Sequence, residues 1–166
     1  EGNAPAAPAP LQALREWARG AGKDTLESAC RQFAHNTPTG SLRTLPGPTG
    51  ERNQYGVAPR ERVLCLADAD ADRLVQLAAV LSVDGHAVWP SAAATLRASL
   101  PAMVQERIVL VADWRAPAVA VDAVLHHGTE ASLREVCQAM ATRPGPIVGV
   151  AGHAPGDAAV PLERLV

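Results

Sequence analysis

The sequence is poor in aromatic residues and in lysine. Phenylalanine, tyrosine and tryptophan make up 3% of its 166 residues, and Lys23 is the only lysine among 15 basic residues. The core must therefore be built from leucine, valine and alanine, and the many alanines favour helices packed closely on a sheet. A single lysine also excludes any mechanism that needs two of them.

Blocks of charge and long apolar runs are absent as well. The formal net charge is −2 and the charges are scattered, which argues against an intrinsic nucleic-acid or membrane surface. Asp84, Asp113 and Asp122 interrupt the longest apolar stretches. Nothing approaches the ~20 apolar residues that a membrane-spanning helix needs. The N-terminus has no signal-peptide pattern.

Cysteine usage is sparse. Cys30, Cys65 and Cys137 are widely spaced, and no CxxC pair occurs. All three lie in apolar periodic segments, so we expect buried thiols in a reducing compartment, which indicates a cytoplasmic protein.

The sequence pattern predicts three segments along the chain. Residues 1–10 are a Pro/Ala-rich linker, residues 11–60 combine a helical hairpin with a long loop, and residues 61–166 form an α/β domain. Glycines after residue 19 end the first helix, and Asp24 with Glu27 resembles a capping box that starts the second. The stretch Asn36 to Arg60 loses periodicity and is predicted to be a functional loop, since loops of this length are uncommon.

Strand and helix patterns alternate after residue 60. Helical spacing recurs at 74–81, at Leu96 and Leu100, and at 133–140. The predicted strands are Val63–Leu66, Ala87–Trp89, Ile108–Val111, Ala123–His126 and Ile147–Ala151. This alternation predicts a Rossmann-like, mainly parallel sheet with flanking helices. Pro161 to Val166 resembles the opening turns of a helix, and the first residue is Glu1, so we expect a truncated fragment.

Several motifs carry a family resemblance. The stretch LPGPTGERNQY at 45–55, followed by Pro59-Arg60 and VLCLAD, resembles the C-terminal part of proline utilization A. The segments 76–81, 113–114, 122–128, 145–148 and 162–166 read like the same region. The resemblance implies a domain with the aldehyde dehydrogenase superfamily fold that follows the catalytic aldehyde dehydrogenase module and is not itself catalytic.

The resemblance also implies a parent enzyme and partners. The parent would oxidise proline with FAD and then oxidise glutamate semialdehyde to glutamate with NAD. This domain would pack on the aldehyde dehydrogenase and proline dehydrogenase domains of the same polypeptide and help cover the path of the intermediate between the two sites. A homo-oligomer is left open. The residues expected to fix the loop against a neighbouring surface are Gly47, Pro48, Thr49, Gly50, Glu51, Arg52, Asn53 and Tyr55.

Motifs for catalysis or cofactor binding are weak. The GPTGERN loop precedes the first predicted sheet strand and lacks a phosphate-loop lysine, so a structural role is favoured. Gly149, Gly152 and Gly156 fit an ordinary turn better than a nucleotide loop. His126 and His127 should point to opposite faces of a strand and so not share a metal. The cysteines do not resemble the family's nucleophile, and we predict no catalytic, cofactor or metal residues in this chain.

A receiver domain of a response regulator is the alternative. The acids Asp68, Asp70 and Asp72 after the first predicted sheet strand, and Asp113 after the third, imitate its Mg²⁺ and phosphoryl-acceptor positions. A receiver also needs a lysine after its fifth strand, where this chain has Gly152-His153. Helix capping and the helix dipole are sufficient to explain acidic residues at the start of a helix. This interpretation would make the chain a degenerate signalling domain with Asp113 as acceptor.

Overall fold

A computed structural model describes residues 6–39 and 42–166. Residues 1–5 of the predicted linker lie outside the described residues, and its last two, Ala9 and Pro10, already belong to a helix. The first described elements are two helices, α1 (Ala9–Gly20) and α2 (Asp24–Asn36). Their apolar stripes face the core, as the spacing predicts: Leu11, Leu14, Ala18, Leu26, Ala29, Cys30 and Phe33 are buried.

The predicted capping box at the start of α2 is not formed. No side chain caps this helix, and Asp24 already lies within it. Glu27 instead receives hydrogen bonds from Arg15 at 2.7 Å and Arg31 at 2.6 Å. These charge-assisted contacts with two arginines compete with the backbone amide that a capping glutamate would reach.

Part of the predicted loop between residues 36 and 60 is a β-hairpin. Strands β1 (Leu42–Leu45) and β2 (Asn53–Gly56) pair antiparallel. Leu45 lies opposite Asn53 and Thr44 opposite Gln54. The prediction of a long loop was wrong for these residues, because four-residue strands without apolar alternation give no strand signal.

A five-stranded sheet follows and confirms the predicted α/β class. Its strands are β3 (Arg62–Ala67), β4 (His86–Pro90), β5 (Ile108–Val111), β6 (Ala123–His127) and β7 (Gly149–His153). All neighbours are parallel, in the order β5-β4-β3-β6-β7. Counted along the chain this order is 3-2-1-4-5, which matches the first five strands of the classic doubly wound sheet.

Helices cover the two faces of the sheet unequally. Helix α3 (Asp70–Ser82) packs between the sheet and α2, so it is buried on nearly every side from Leu74 to Ser82. The short helices α4 (Ala94–Ala98) and α5 (Ala102–Gln105) connect β4 to β5, and α5 contacts α1. The opposite face is covered by α6 (Glu130–Ala141), whose Val136 and Met140 pack on β3 and β6 side chains.

Two further predictions about the C-terminal half need correction. Cys137 is exposed rather than buried, because α6 is an outer helix and only Val136 and Met140 of its last turns are buried. Residues after Pro161 form only a short 3₁₀ turn, Leu162–Arg164. Among the described residues, no helix has the length and apolar character needed to cross a membrane.

Candidate functional site

The residues predicted to form a docking loop lie at the tip and second strand of the β1–β2 hairpin. The amide of Glu51 donates to the carbonyl of Pro48 at 3.0 Å, which closes a tight turn. Gly50 occupies the third position of this turn with φ of 98°, a conformation that side chains rarely adopt. The structure thus brings the predicted residues into one element.

This hairpin is exposed along its described length. Tyr55 is 59% exposed and Leu45 is 45% exposed. The strand register places Leu45, Asn53 and Tyr55 on the same side of the hairpin. Within residues 6–39 and 42–166, the side chains of Glu51, Arg52 and Tyr55 form no hydrogen bond or ion pair. An isolated two-stranded hairpin is at best marginally stable in water.

A second polar region lies at the carboxyl end of β3, where the order of strands reverses. In doubly wound sheets, dinucleotides bind in the crevice at this position, with the pyrophosphate on glycine-rich backbone. Here the turn after β3 is Ala67-Asp68-Ala69-Asp70 and contains no glycine. Arg73 donates to the carbonyls of Cys65 at 3.1 Å and Ala67 at 2.6 Å, so its guanidinium is tied to the strand end.

The glycines of the GVAGHAPGD segment do not form a phosphate loop. Gly149 and Gly152 lie within β7, and only Gly156 follows it. A Cβ atom on Gly152 would lie 2.5 Å from Cδ2 of Leu133, so this glycine permits the close approach of α6 to β7.

The two adjacent histidines of β6 face opposite sides of the sheet, as predicted. The His126 Nε2 atom lies 2.9 Å from the hydroxyl of Ser132 on the α6 side. His127, 1% exposed, lies on the α3 side and stacks on His153 with ring centroids 4.9 Å apart. The sequence did not predict the contact between His127 and His153, although the two residues end neighbouring strands in register. The described chain contains no cluster of three or more His, Cys, Asp or Glu side chains arranged to hold a metal.

Thiol chemistry is confined to the surface of the described chain. Burial raises the pKa of Cys30 and of Cys65 to about 12, so both thiols stay protonated at neutral pH. Cys137 is exposed on α6. A buried protonated thiol is a poor nucleophile, which removes two of the three cysteines from consideration.

Asp113 lies apart from the other acids. It follows β5, the outermost strand, and β4 separates that strand from β3 and its following acids. Its carboxylate accepts a hydrogen bond from the amide of Arg115 at 2.9 Å. In a receiver sheet of order 2-1-3-4-5, the acceptor strand is next to the first strand. The observed order therefore disfavours a receiver site.

Sequence and structure comparisons agree on one family. The chain is 48% identical over 158 residues to bifunctional protein PutA of Klebsiella aerogenes, and equally to that of Escherichia coli K12. It is 33% identical over 147 residues to PutA of Rhizobium meliloti. The chain is homologous to one region of PutA. The Klebsiella and Escherichia matches cover 94% of the chain but only 12% of those relatives, while no family model matches the sequence.

Solved structures support the same fold. A structure of proline utilization A (PutA) with proline bound in remote sites aligns with a TM-score of 0.58 at 22% identity, covering 78% of this chain and 15% of that one. A putative aldehyde dehydrogenase from Burkholderia cenocepacia aligns with a TM-score of 0.57 at 14% identity, covering 87% of this chain and 38% of that one. The α/β fold is thus common to PutA and aldehyde dehydrogenases.

Proposed function

We propose that this PutA region is a non-catalytic domain of a bifunctional proline catabolic enzyme. It packs on the catalytic dehydrogenase domains of the same polypeptide through the β1–β2 hairpin and helps cover the path of the intermediate between them. The parent enzyme uses FAD to oxidise proline and NAD to form glutamate.

The exposed hairpin carries this proposal. It leaves Leu45 and Tyr55 exposed on one side, and none of its described side chains belongs to either hydrophobic core. Polar Glu51 and Arg52 at its tip have no partner within the described residues, although such groups are suited to charge-assisted contacts. An element this small becomes stable when a second surface covers it.

Residues at the crevice support the non-catalytic part of the proposal. Asp68 and Asp70 lie where a dinucleotide's pyrophosphate would approach, and their negative charge opposes a phosphate. Arg73, in the first turn of α3, is already engaged by two carbonyls. Titration calorimetry of this chain with NAD should therefore detect no binding. A dissociation constant in the micromolar range, about 8 kcal/mol, would contradict this part.

The covering role is tested in the full-length enzyme with Arg52→Ala. We expect each half-reaction to stay within about twofold of normal when its own substrate is supplied, since no catalytic group changes. The lag before NADH appears from proline should lengthen severalfold, because intermediate escapes through an imperfect seal. Stopped-flow absorbance at 340 nm measures both.

Arg134→Ala provides the matched control. Arg134 is also an exposed arginine, and its only described ion pair is a 3.6 Å contact with Glu130. Its replacement should leave the lag unchanged. The covering role is wrong if Arg52→Ala shows a normal lag, or if it abolishes aldehyde dehydrogenase turnover outright.

The signalling alternative has its own test. A receiver would take a phosphoryl group from acetyl phosphate with Mg²⁺ on Asp113, and Asp113→Asn would abolish the labelling. We expect no adduct, because β4 separates Asp113 from the acids after β3. A stoichiometric phosphate adduct in intact-mass spectrometry would favour the signalling function instead.

A further inference from the structure

Residues 154–166, called the C-terminal strap, run from the end of β7 back across the sheet face that carries α1 to α3. Val160, Leu162 and Leu165 of this strap are buried in the same core as these helices. Near its far end, the amide of Arg60 donates to the carbonyl of Leu165 at 2.7 Å. The strap therefore closes part of the core.

Polar contacts fasten the near end of the strap. The Nε2 atom of His127 lies 2.7 Å from the carbonyl oxygen of Asp157. The amide of Gly156 donates to the carboxylate of Asp72 at 3.0 Å, and Asp72 is itself buried. These two bonds join the strap to β6 and α3.

Gln76 fixes the form of His127 that makes this contact. Its amide nitrogen lies 2.9 Å from the carbonyl of Leu66 and 2.8 Å from Nδ1 of His127. The Leu66 carbonyl can only accept, so this amide group is the NH₂ and its second hydrogen points to Nδ1. His127 Nδ1 then accepts, and its proton lies on Nε2, where it is donated to Asp157.

His153 ends β7 directly before the strap and is buried beside His127. Its side chain is 8% exposed and stacks on His127 at 4.9 Å. Burial and the neighbouring His127 lower the pKa of His153, although Asp157, whose carboxylate lies 3.7 Å from Nδ1, acts in the opposite direction. Within the described residues, the Nε2 atom of His153 is buried without a hydrogen-bond partner, so a proton on this atom would have no acceptor.

Apart from Asp157, the charged groups around the pair have other partners or lie on the other face of the sheet. Asp72 from α3 accepts from Gly156, and Arg73 from the same helix is directed to β3 carbonyls. His126 lies on the opposite face of β6, where burial lowers its pKa and Asp68 acts against that shift. Of the carboxylates, Asp157 alone pairs with a ring of the stack, and it belongs to the strap itself.

We propose that His153, stacked on His127, is a pH-sensitive latch, which holds the C-terminal strap on the sheet while its ring is neutral and favours release of the strap when its ring is protonated. Release breaks the hydrogen bonds that join Asp157 to β6 and Gly156 to α3, and it uncovers apolar side chains of the core. The sheet and helix α3 stay folded.

Hydrogen exchange read by NMR tests the latch in the 166-residue chain. Protection factors, corrected for intrinsic exchange, are measured at pH 7.5 and pH 5.0 for the strap amides of Val160 and Leu165 and for Leu77 in α3. Linkage to one histidine with an ordinary pKa of about 6.5 in the released state permits up to about 30-fold loss of protection over this range. We expect at least a tenfold loss in the strap and an unchanged Leu77 amide.

Variants distinguish the latch from general acid unfolding. His153→Phe keeps a stacked ring without a titratable nitrogen, and it should remove most of the pH dependence of the strap. His35→Gln, at an exposed histidine of α2, should retain it. The latch is wrong if the wild-type strap is equally protected at both pH values, if Leu77 loses protection together with the strap, or if His153→Phe leaves the pH dependence unchanged. Should that variant not fold, the two wild-type comparisons decide.

Discussion

Gly152→Ala tests the tight contact between α6 and β7. The new methyl group would lie 2.5 Å from Cδ2 and 2.9 Å from Cδ1 of Leu133. Both distances are shorter than carbon atoms tolerate. The obstacle is the end of a flexible, half-buried side chain, so Leu133 can turn aside in part. Overpacking of this kind costs about 1–3 kcal/mol.

Gly149→Ala is the matched control in the same strand. A Cβ atom at Gly149 meets nothing within 4 Å. Glycine within a strand is less stable than alanine by roughly 0.5–1 kcal/mol. Because Gly149 is the first residue of β7, the gain from alanine should be smaller, and this variant should be as stable as the wild type or slightly more so. The two substitutions thus make the same chemical change with opposite expected signs.

Thermal unfolding followed by circular dichroism measures the difference. At this chain length 1 kcal/mol shifts the Tm by roughly 2–4 °C. In a Leu133→Ala background, the penalty for Gly152→Ala should fall to the value found for Gly149→Ala, since the obstructing atoms are gone. Equal Tm changes for the two glycine variants, or a penalty undiminished in that background, would refute the steric reasoning.

Two further outcomes concern thiols and an ion-pair cluster. In the native chain only the thiol of Cys137 should react with a disulfide reagent at pH 8, because burial raises the pKa of Cys30 and Cys65 to about 12. All three thiols should react after denaturation. Rapid reaction of two or more native thiols would contradict this prediction. Hydrogen bonds from Arg15 and Arg31 lower the pKa of Glu27 to about 2, so its stabilising effect is complete above the unfolded-state pKa of about 4.3 and is lost as the pH falls towards 2. Glu27→Gln should therefore lower the Tm at pH 7, and its Tm should approach that of the wild type near pH 2. Thermal melts across this pH range measure the difference. A Tm difference that does not change with pH would count against the ion pairs.

The long periodic elements could be predicted from sequence. The stripe of leucines in α3 is read from its helical spacing, and the apolar runs of β3 and β6 are typical of strands buried on both faces. The outer helix α6 shows the limit of this method. Its pattern predicts a buried Cys137, but spacing does not tell how wide the covered stripe is on a helix that packs on one side only.

The hairpin and the histidine cluster depend on information that spacing does not hold. The hairpin strands are four residues long, and among the described strands they pair only with each other. The stacked pair of His127 and His153 joins β6 to β7, and its partners Gln76 and Asp157 come from α3 and the strap. Residues 76, 127 and 153 lie far apart in sequence. The strand predicted at Ile147–Ala151 ended two residues too early, so His153 was not placed beside His127. The strand order would have been needed to bring them together.

The position of the hairpin has a consequence for cutting the chain. It separates the α1–α2 pair from the sheet in sequence, yet Leu11, Leu14 and Phe33 of that pair are buried in the same core as α3. Tryptic cleavage after Arg52 would break the backbone without removing any buried contact. The two fragments should remain associated and should reassemble when produced separately, which makes this exposed turn a natural site for a split protein.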